Sequence, residues 1–174
     1  AGCEGITLQE NDHIEEKIDE VVRTSEIGIL VISKEIYNKA KEKIDVVTSD
    51  IDEAVKGADY IILCVPGNRH EEYARILKGH TTAQQILITF NGCMASLIYK
   101  NVWEEDASCP IFAESTIPPF SARRVEPGKV RMFERHLAPI AFFPASAGEK
   151  YYDQVRKDIY EFPGMYADIL ECGL

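Results

Sequence analysis

The stretch from Val46 to Gly67, VVTSDIDEAVKGADYIILCVPG, constrains the fold of this chain more than any other. Asp50 with Glu53 has the spacing of an N-terminal capping pair, and Ala54-Val55 carry the helix that it starts. Gly57 closes that helix, because glycine tolerates the left-handed cap. Tyr60 to Val65 is a near-continuous apolar run, as a strand covered on both faces requires. Pro66 then ends strand pairing by removing a backbone donor. A short capped helix that feeds a buried strand into a Val-Pro turn is a middle section of a doubly wound α/β sheet.

The flanking segments extend this pattern. Ile6 to Glu10 is a short strand candidate. Asp12 is placed to cap a helix over Ile14 to Val22, with Ile14, Ile18, Val21 and Val22 on one face. Ile27 to Ile32 and Ile44 to Thr48 are β-branched and read as strands, whereas Lys34 to Lys43 is ambiguous between helix and loop. Asn68 is a candidate cap for a helix reaching Leu77. Gln85 to Phe90 is a second buried strand and ends at Asn91-Gly92. Ala95 to Lys100 is a helix candidate. Ile111 to Glu114, Val130 to Phe133 and Pro139 to Phe143 are strand candidates, with Arg135-His136 in the turn between the last two. Ala147 to Tyr160 has a helical pattern that Pro163-Gly164 ends. Strands alternating with helices predict a Rossmann-like doubly wound sheet, mostly parallel, with an antiparallel edge.

Composition narrows the function classes. With 174 residues, 45% hydrophobic and 28% charged, the chain suits one globular domain, here taken as residues 1–174. A net charge of −10 repels phosphate backbones and argues against nucleic acid as a partner. One basic cluster, Arg123, Arg124, Lys129, Arg131, Arg135 and His136, reads either as a solvated face or as an anion site. No apolar run is long enough to span a membrane. The five cysteines follow no metal or disulfide spacing, which fits a reducing cytoplasm. Cys64, inside an apolar strand, reads as a small hydrophobe. His13, His80 and His136 lack ligand-spaced neighbours, so no metal is expected. His70, at a helix start just past the Val-Pro turn, is expected to be exposed, the other reading being a place near a cofactor in a complete site.

In a doubly wound sheet, ligands sit at the carboxyl ends of the strands. The Val65-Pro66-Gly67 and Asn91-Gly92 turns follow two such ends. Gly67 and Gly92 allow a flat ring or a phosphate to approach the backbone, although both are also ordinary turn residues. Glu114 ends another strand, where it either lines the nicotinamide side or serves as a polar cap. Glu10 ends the first strand candidate. Taken alone it is one more surface acid; at the end of the second strand of a dinucleotide fold, a carboxylate accepts hydrogen bonds from ribose hydroxyls and repels a 2′-phosphate, favouring NAD over NADP.

The order of these features resembles the N-terminal domain of the opine (octopine and nopaline) dehydrogenases. The matching segments are Gly2-Cys3-Glu4, Gly28-Ile29, Val47 to Val55, Ala58-Asp59, Val65-Pro66 and His70-Glu71. Further matches are Asn91-Gly92 without its usual proline, Ala113-Glu114-Ser115, Ala122-Arg123 and Leu170-Glu171-Cys172. The middle of this set is shared with ketopantoate reductase and glycerol-3-phosphate dehydrogenase. The resemblance implies a nicotinamide dinucleotide, NAD or NADP, as cofactor. It also implies reductive condensation of an amino acid with a 2-keto acid.

Two departures set further expectations. No G-x-G-x-x-G lies about 20 residues before Glu10, where the phosphate-binding fingerprint belongs. The first strand and the family's C-terminal helical domain are therefore expected to be absent, leaving the chain catalytically incompetent alone. Without that central strand, either its neighbours close the gap, or another chain supplies a strand, or Ile6 to Glu10 is displaced; unpaired central edges predict self-association. The rival readings are a related keto-acid or polyol-phosphate dehydrogenase and a non-catalytic assembly module.

Overall fold

The computed structural model describes residues 29–32, 48–118, 120–126, 129–135 and 138–173. The candidate elements at Ile6–Glu10, Ile14–Val22, Lys34–Lys43 and most of Ile44–Thr48 lie outside these residues, as does Glu10.

Five strands form the main sheet: β1 (Ile29–Ile32), β2 (Tyr60–Leu63), β3 (Ile86–Phe90), β4 (Ile111–Ser115) and β7 (Ile140–Phe143), in the spatial order β1-β2-β3-β4-β7. β2, β3 and β4 run parallel, with Tyr60 opposite Ile86 and Ile86 opposite Ile111. β1 and β7 are antiparallel to their neighbours, so both flanks of the parallel centre are antiparallel. The expected doubly wound α/β class is therefore present. The edge of β2 is covered by β1, one of the ways in which neighbouring strands were expected to close the gap.

Period-two alternation explains why β2 and β3 are apolar throughout. Ile61, Leu63 and Leu87 point into one core with Leu77, Tyr99, Trp103 and Phe112. Tyr60, Ile62, Ile86 and Ile88 point into the other with Ile140, Phe142, Val155 and Phe162. Helices α1 (Ile51–Val55), α2 (His70–Leu77) and α3 (Ala95–Trp103) contribute to the first core, and α4 (Ser146–Asp158) to the second. Each fully buried aliphatic side chain contributes about 1.5–3 kcal/mol, so a polar residue in either face needs a specific partner. Tyr60 has one: its hydroxyl donates to Asp158 Oδ2 at 2.9 Å, tying β2 to α4.

Local chemistry sets the boundaries. Asp50 Oδ1 accepts from the backbone N–H of Asp52 and Glu53 and caps α1. Gly57 takes φ +73° just past its end. Buried Gln85 donates from Nε2 to the carbonyls of Val55 and Ala58 and so pins the α1–β2 connection to the start of β3. Asn68 does not cap a helix: a 3₁₀ turn, Gly67–Arg69, intervenes with Pro66 at its cap and no side-chain bond. Cys64 lies one residue beyond β2 and is exposed, because the strand ends at Leu63.

β5 (Phe120–Glu126) and β6 (Lys129–Arg135) pair as a separate antiparallel hairpin. β6 and β7 lie in different sheets, with Arg135 the last residue of β6, and His136 is outside the described residues. A last helix, α5 (Ile169–Gly173), packs Ile169 and Cys172 against Ala141.

Candidate functional site

Because β2, β3 and β4 are parallel and adjacent, their carboxyl ends open on the same side of the sheet. Leu63 is opposite Thr89, and Thr89 is opposite Glu114. Val65, Pro66, Gly67, Asn91, Gly92 and Glu114 thus leave three neighbouring strands at one end, while Glu10 lies outside the described residues.

The turn after β3 has an unusual backbone. Asn91, Cys93 and Met94 take φ values of +61°, +48° and +67°. Non-glycine residues rarely occupy this region, and several in one turn persist only where surrounding bonds hold them. Gly92 N donates to Ser115 O at 3.1 Å, and Glu114 bonds the end of the turn. Its side chain is fully buried. Oε1 accepts from Met94 N at 3.0 Å, and Oε2 accepts from Ser96 N and Ser96 Oγ, each at 3.0 Å. Met94, at the cap of α3, has no side-chain cap of its own, so a carboxylate from β4 satisfies the helix start.

Glycine at position 92 follows from the same packing. A Cβ there would lie 2.8 Å from Glu114 Cβ and 2.9 Å from its Oε2. Gly92 therefore makes room for Glu114. Gly67 differs: a Cβ on it would meet only the edge of the His70 ring, at 3.9–4.0 Å.

His70, expected to be exposed, is 2% exposed. The 3₁₀ turn folds the start of α2 inward, and the ring packs edge-on against Tyr99. A hydrogen-bonded chain runs from Thr89 Oγ1 to Tyr99 Oη at 2.9 Å and from Tyr99 Oη to His70 Nδ1 at 2.6 Å. Burial raises the Tyr99 phenol above its usual range, with nearby Glu114 adding to the rise, and burial lowers the His70 imidazole. Sequence reasoning missed this chain. Its signal was Thr89, a lone polar residue in the strand ILITF, whose hydroxyl must find a partner.

Other groups are less suited to chemistry. Burial, then Glu114 and Cys93, push the Cys172 thiol up to about 12, far from a reactive thiolate. Cys64, Cys93, Cys109 and Cys172 are free thiols. Among the described residues, no group of three or more His, Cys, Asp or Glu side chains is placed to hold a metal ion. No helix among them is long and apolar enough to cross a membrane. At the amino ends of the strands, a depression of about 460 Å³ is lined by residues including Asp52, Lys56, His80 and Gln85.

Comparison with known proteins corrects the family resemblance. The family model that matches is that of the ATP synthase (F/14-kDa) subunit, over residues 1–79. That match is to a different family from the opine dehydrogenases and overturns the assignment to them. The physical reason is that Asp-Ile-x-Glu-Ala-Val and Val-Pro describe a capped helix and a strand end, which specify a folding unit and not a family. No curated protein sequence matches the chain.

Solved structures do match, at the level of fold. Octopine dehydrogenase with NADH and L-arginine aligns at TM-score 0.50 and 19% identity, covering 57% of this chain and 26% of that one. The NADH and pyruvate complex aligns at 0.50 and 20%, and the NADH and agmatine complex at 0.50 and 19%, with the same coverage. Identity this low shows a shared fold alone, and the match spans 26% of the length of those proteins. The chain thus has a Rossmann-like α/β fold, similar to part of proteins solved with NADH.

Proposed function

We propose that this chain is the dinucleotide-binding part of an NAD(P)-dependent oxidoreductase. The observation that supports it is the strained Asn91–Met94 turn beside Val65–Gly67, where parallel strands end and such folds take nucleotides. Val65, Pro66, Gly67 and Asn91 would line a flat ring or ribose, and bound cofactor would supply hydride. Glu114 would hold the second turn in shape without touching the ligand, since its carboxylate is committed to Met94 and Ser96. Glu10 would accept the adenosine ribose hydroxyls and bias the site towards NAD.

For the complete protein the reading is reductive condensation of an amino acid with a 2-keto acid. Its support is that the similar structures hold L-arginine and pyruvate with NADH. This is an assignment of reaction class and carries no family membership. Calorimetric titration tests the cofactor role. NADH should bind, and more tightly than NADPH. Absence of binding by both would contradict it.

One observation favours a second reading, a non-catalytic assembly module. The ATP synthase (F/14-kDa) subunit model matches residues 1–79. On that reading the same titrations give no heat, and the chain functions within a larger complex.

A further inference from the structure

Two cysteines far apart in sequence come together at the turn after β3. Cys93 is exposed and sits inside the turn, at φ +48°. Cys172 is fully buried in α5. Several contacts bracket the two. Cys172 Sγ donates to the backbone carbonyl of Glu114 at 3.6 Å. The carboxylate of the same Glu114 accepts from Met94 N, one residue past Cys93. On the other side of Cys93, Gly92 N donates to Ser115 O, next along β4 from Glu114. Gly173, one residue past Cys172, packs on the Met94 side chain, where a Cβ would stand 2.7 Å from Met94 Cγ. Met94 and Gly173 thus meet, and the residue before each is a cysteine. Repulsion between the charged forms of Cys93 and Cys172 is among the causes that raise the Cys172 thiol, an effect that acts only between neighbouring groups.

The pair is asymmetric in the way a redox site requires. An oxidant in solution reaches Cys93, whereas Cys172 reacts only with a group presented from within the fold. An accessible thiol beside a resolving one is the arrangement that responds to oxidation. In a reducing compartment such a bond is transient and regulatory.

We infer that Cys93 and Cys172 form a reversible disulfide that ties the Asn91–Met94 turn to α5 under oxidising conditions. The oxidant is a small-molecule disulfide. The Cys93 thiolate attacks one of its sulfurs, which forms a mixed disulfide and releases the first small thiol. Cys172 then gives up its proton and attacks Cys93 Sγ, which forms the protein S–S bond and releases the second. Two protein thiols lose two electrons and two protons, and one small disulfide becomes two thiols. A raised thiol ionises less readily but is the stronger nucleophile once ionised, so Cys172 suits the resolving step and exposed Cys93 the first. The device does not depend on which ligand the turn takes.

The test is to incubate the full folded chain with oxidised glutathione, quench with acid and N-ethylmaleimide, and map the peptides. The Cys93 and Cys172 peptides should run as one crosslinked species that dithiothreitol separates. The crosslink should be lost in Cys93→Ser and in Cys172→Ala. It should persist in Cys64→Ser, which removes the other exposed thiol among the described residues. A wild-type chain in which Cys93 stops as the mixed glutathione disulfide while Cys172 stays free would overturn the inference. So would a Cys172 crosslink to Cys64 or Cys109 in place of Cys93. An equal yield of the Cys93–Cys172 crosslink from chain unfolded in urea would also overturn it, because the native fold is what brings these thiols together.

Discussion

Glu114 shows how one side chain organises a site that it does not enter. Its carboxylate replaces the missing cap of α3 and bonds Met94, one of the three residues of the β3 turn at positive φ. Gly92→Ala would drive a methyl into that side chain. We expect a loss of about 1–3 kcal/mol, the usual range for overpacking, read as a lower urea midpoint; an unchanged midpoint would show that the turn yields freely. His70 gives a pH dependence whose sign is fixed. Burial lowers its folded value below the unfolded 6.5. The unfolded chain then binds the extra proton first, so this stability is complete above about 6.5 and is lost as pH falls through the folded value. Unfolding midpoints at pH 7.5 and 5 should diverge less in His70→Phe than in wild type. An equal divergence would assign the acid sensitivity elsewhere.

At the scale of elements, caps and buried pairs set the boundaries. Asp50→Ala removes the acceptor for two backbone donors of α1. It should cost about 1 kcal/mol, seen as faster amide exchange at Asp52 and Glu53; unchanged exchange would mean that tertiary packing alone holds α1. Tyr60→Phe leaves buried Asp158 short of a donor. It should cost about 1–3 kcal/mol by denaturant titration, and a neutral result would place the β2–α4 tie in apolar contacts only. Much of this layer was legible in sequence. Asp50, Gly57 and the runs Tyr60–Leu63 and Ile86–Phe90 each obey a local rule of capping or burial. Asn68 misled because a proline-led 3₁₀ turn competes with side-chain capping. β5 was missed since its alternation is diluted by Ser121, Arg123, Arg124 and Glu126. The site was half legible: the two turns follow from strand ends, whereas Thr89, Tyr99 and His70 meet only through tertiary packing. Family identity was not legible, since the motifs that suggested it encode a fold unit.

For the whole molecule, the parallel centre matters most. Three strands ending together bring the Val65–Gly67 and Asn91–Met94 turns side by side, and helices pack a core on each face of these strands. The rival location is the depression at the amino ends, beside the His80–Asp52 contact of 2.7 Å. Amide shift mapping by NMR during addition of NADH separates the two directly. The account predicts perturbations at Val65–His70, Asn91–Ser96 and Glu10. Perturbations centred on Asp52–Asp59 and His80–Gln85, or none at any NADH concentration, would contradict it.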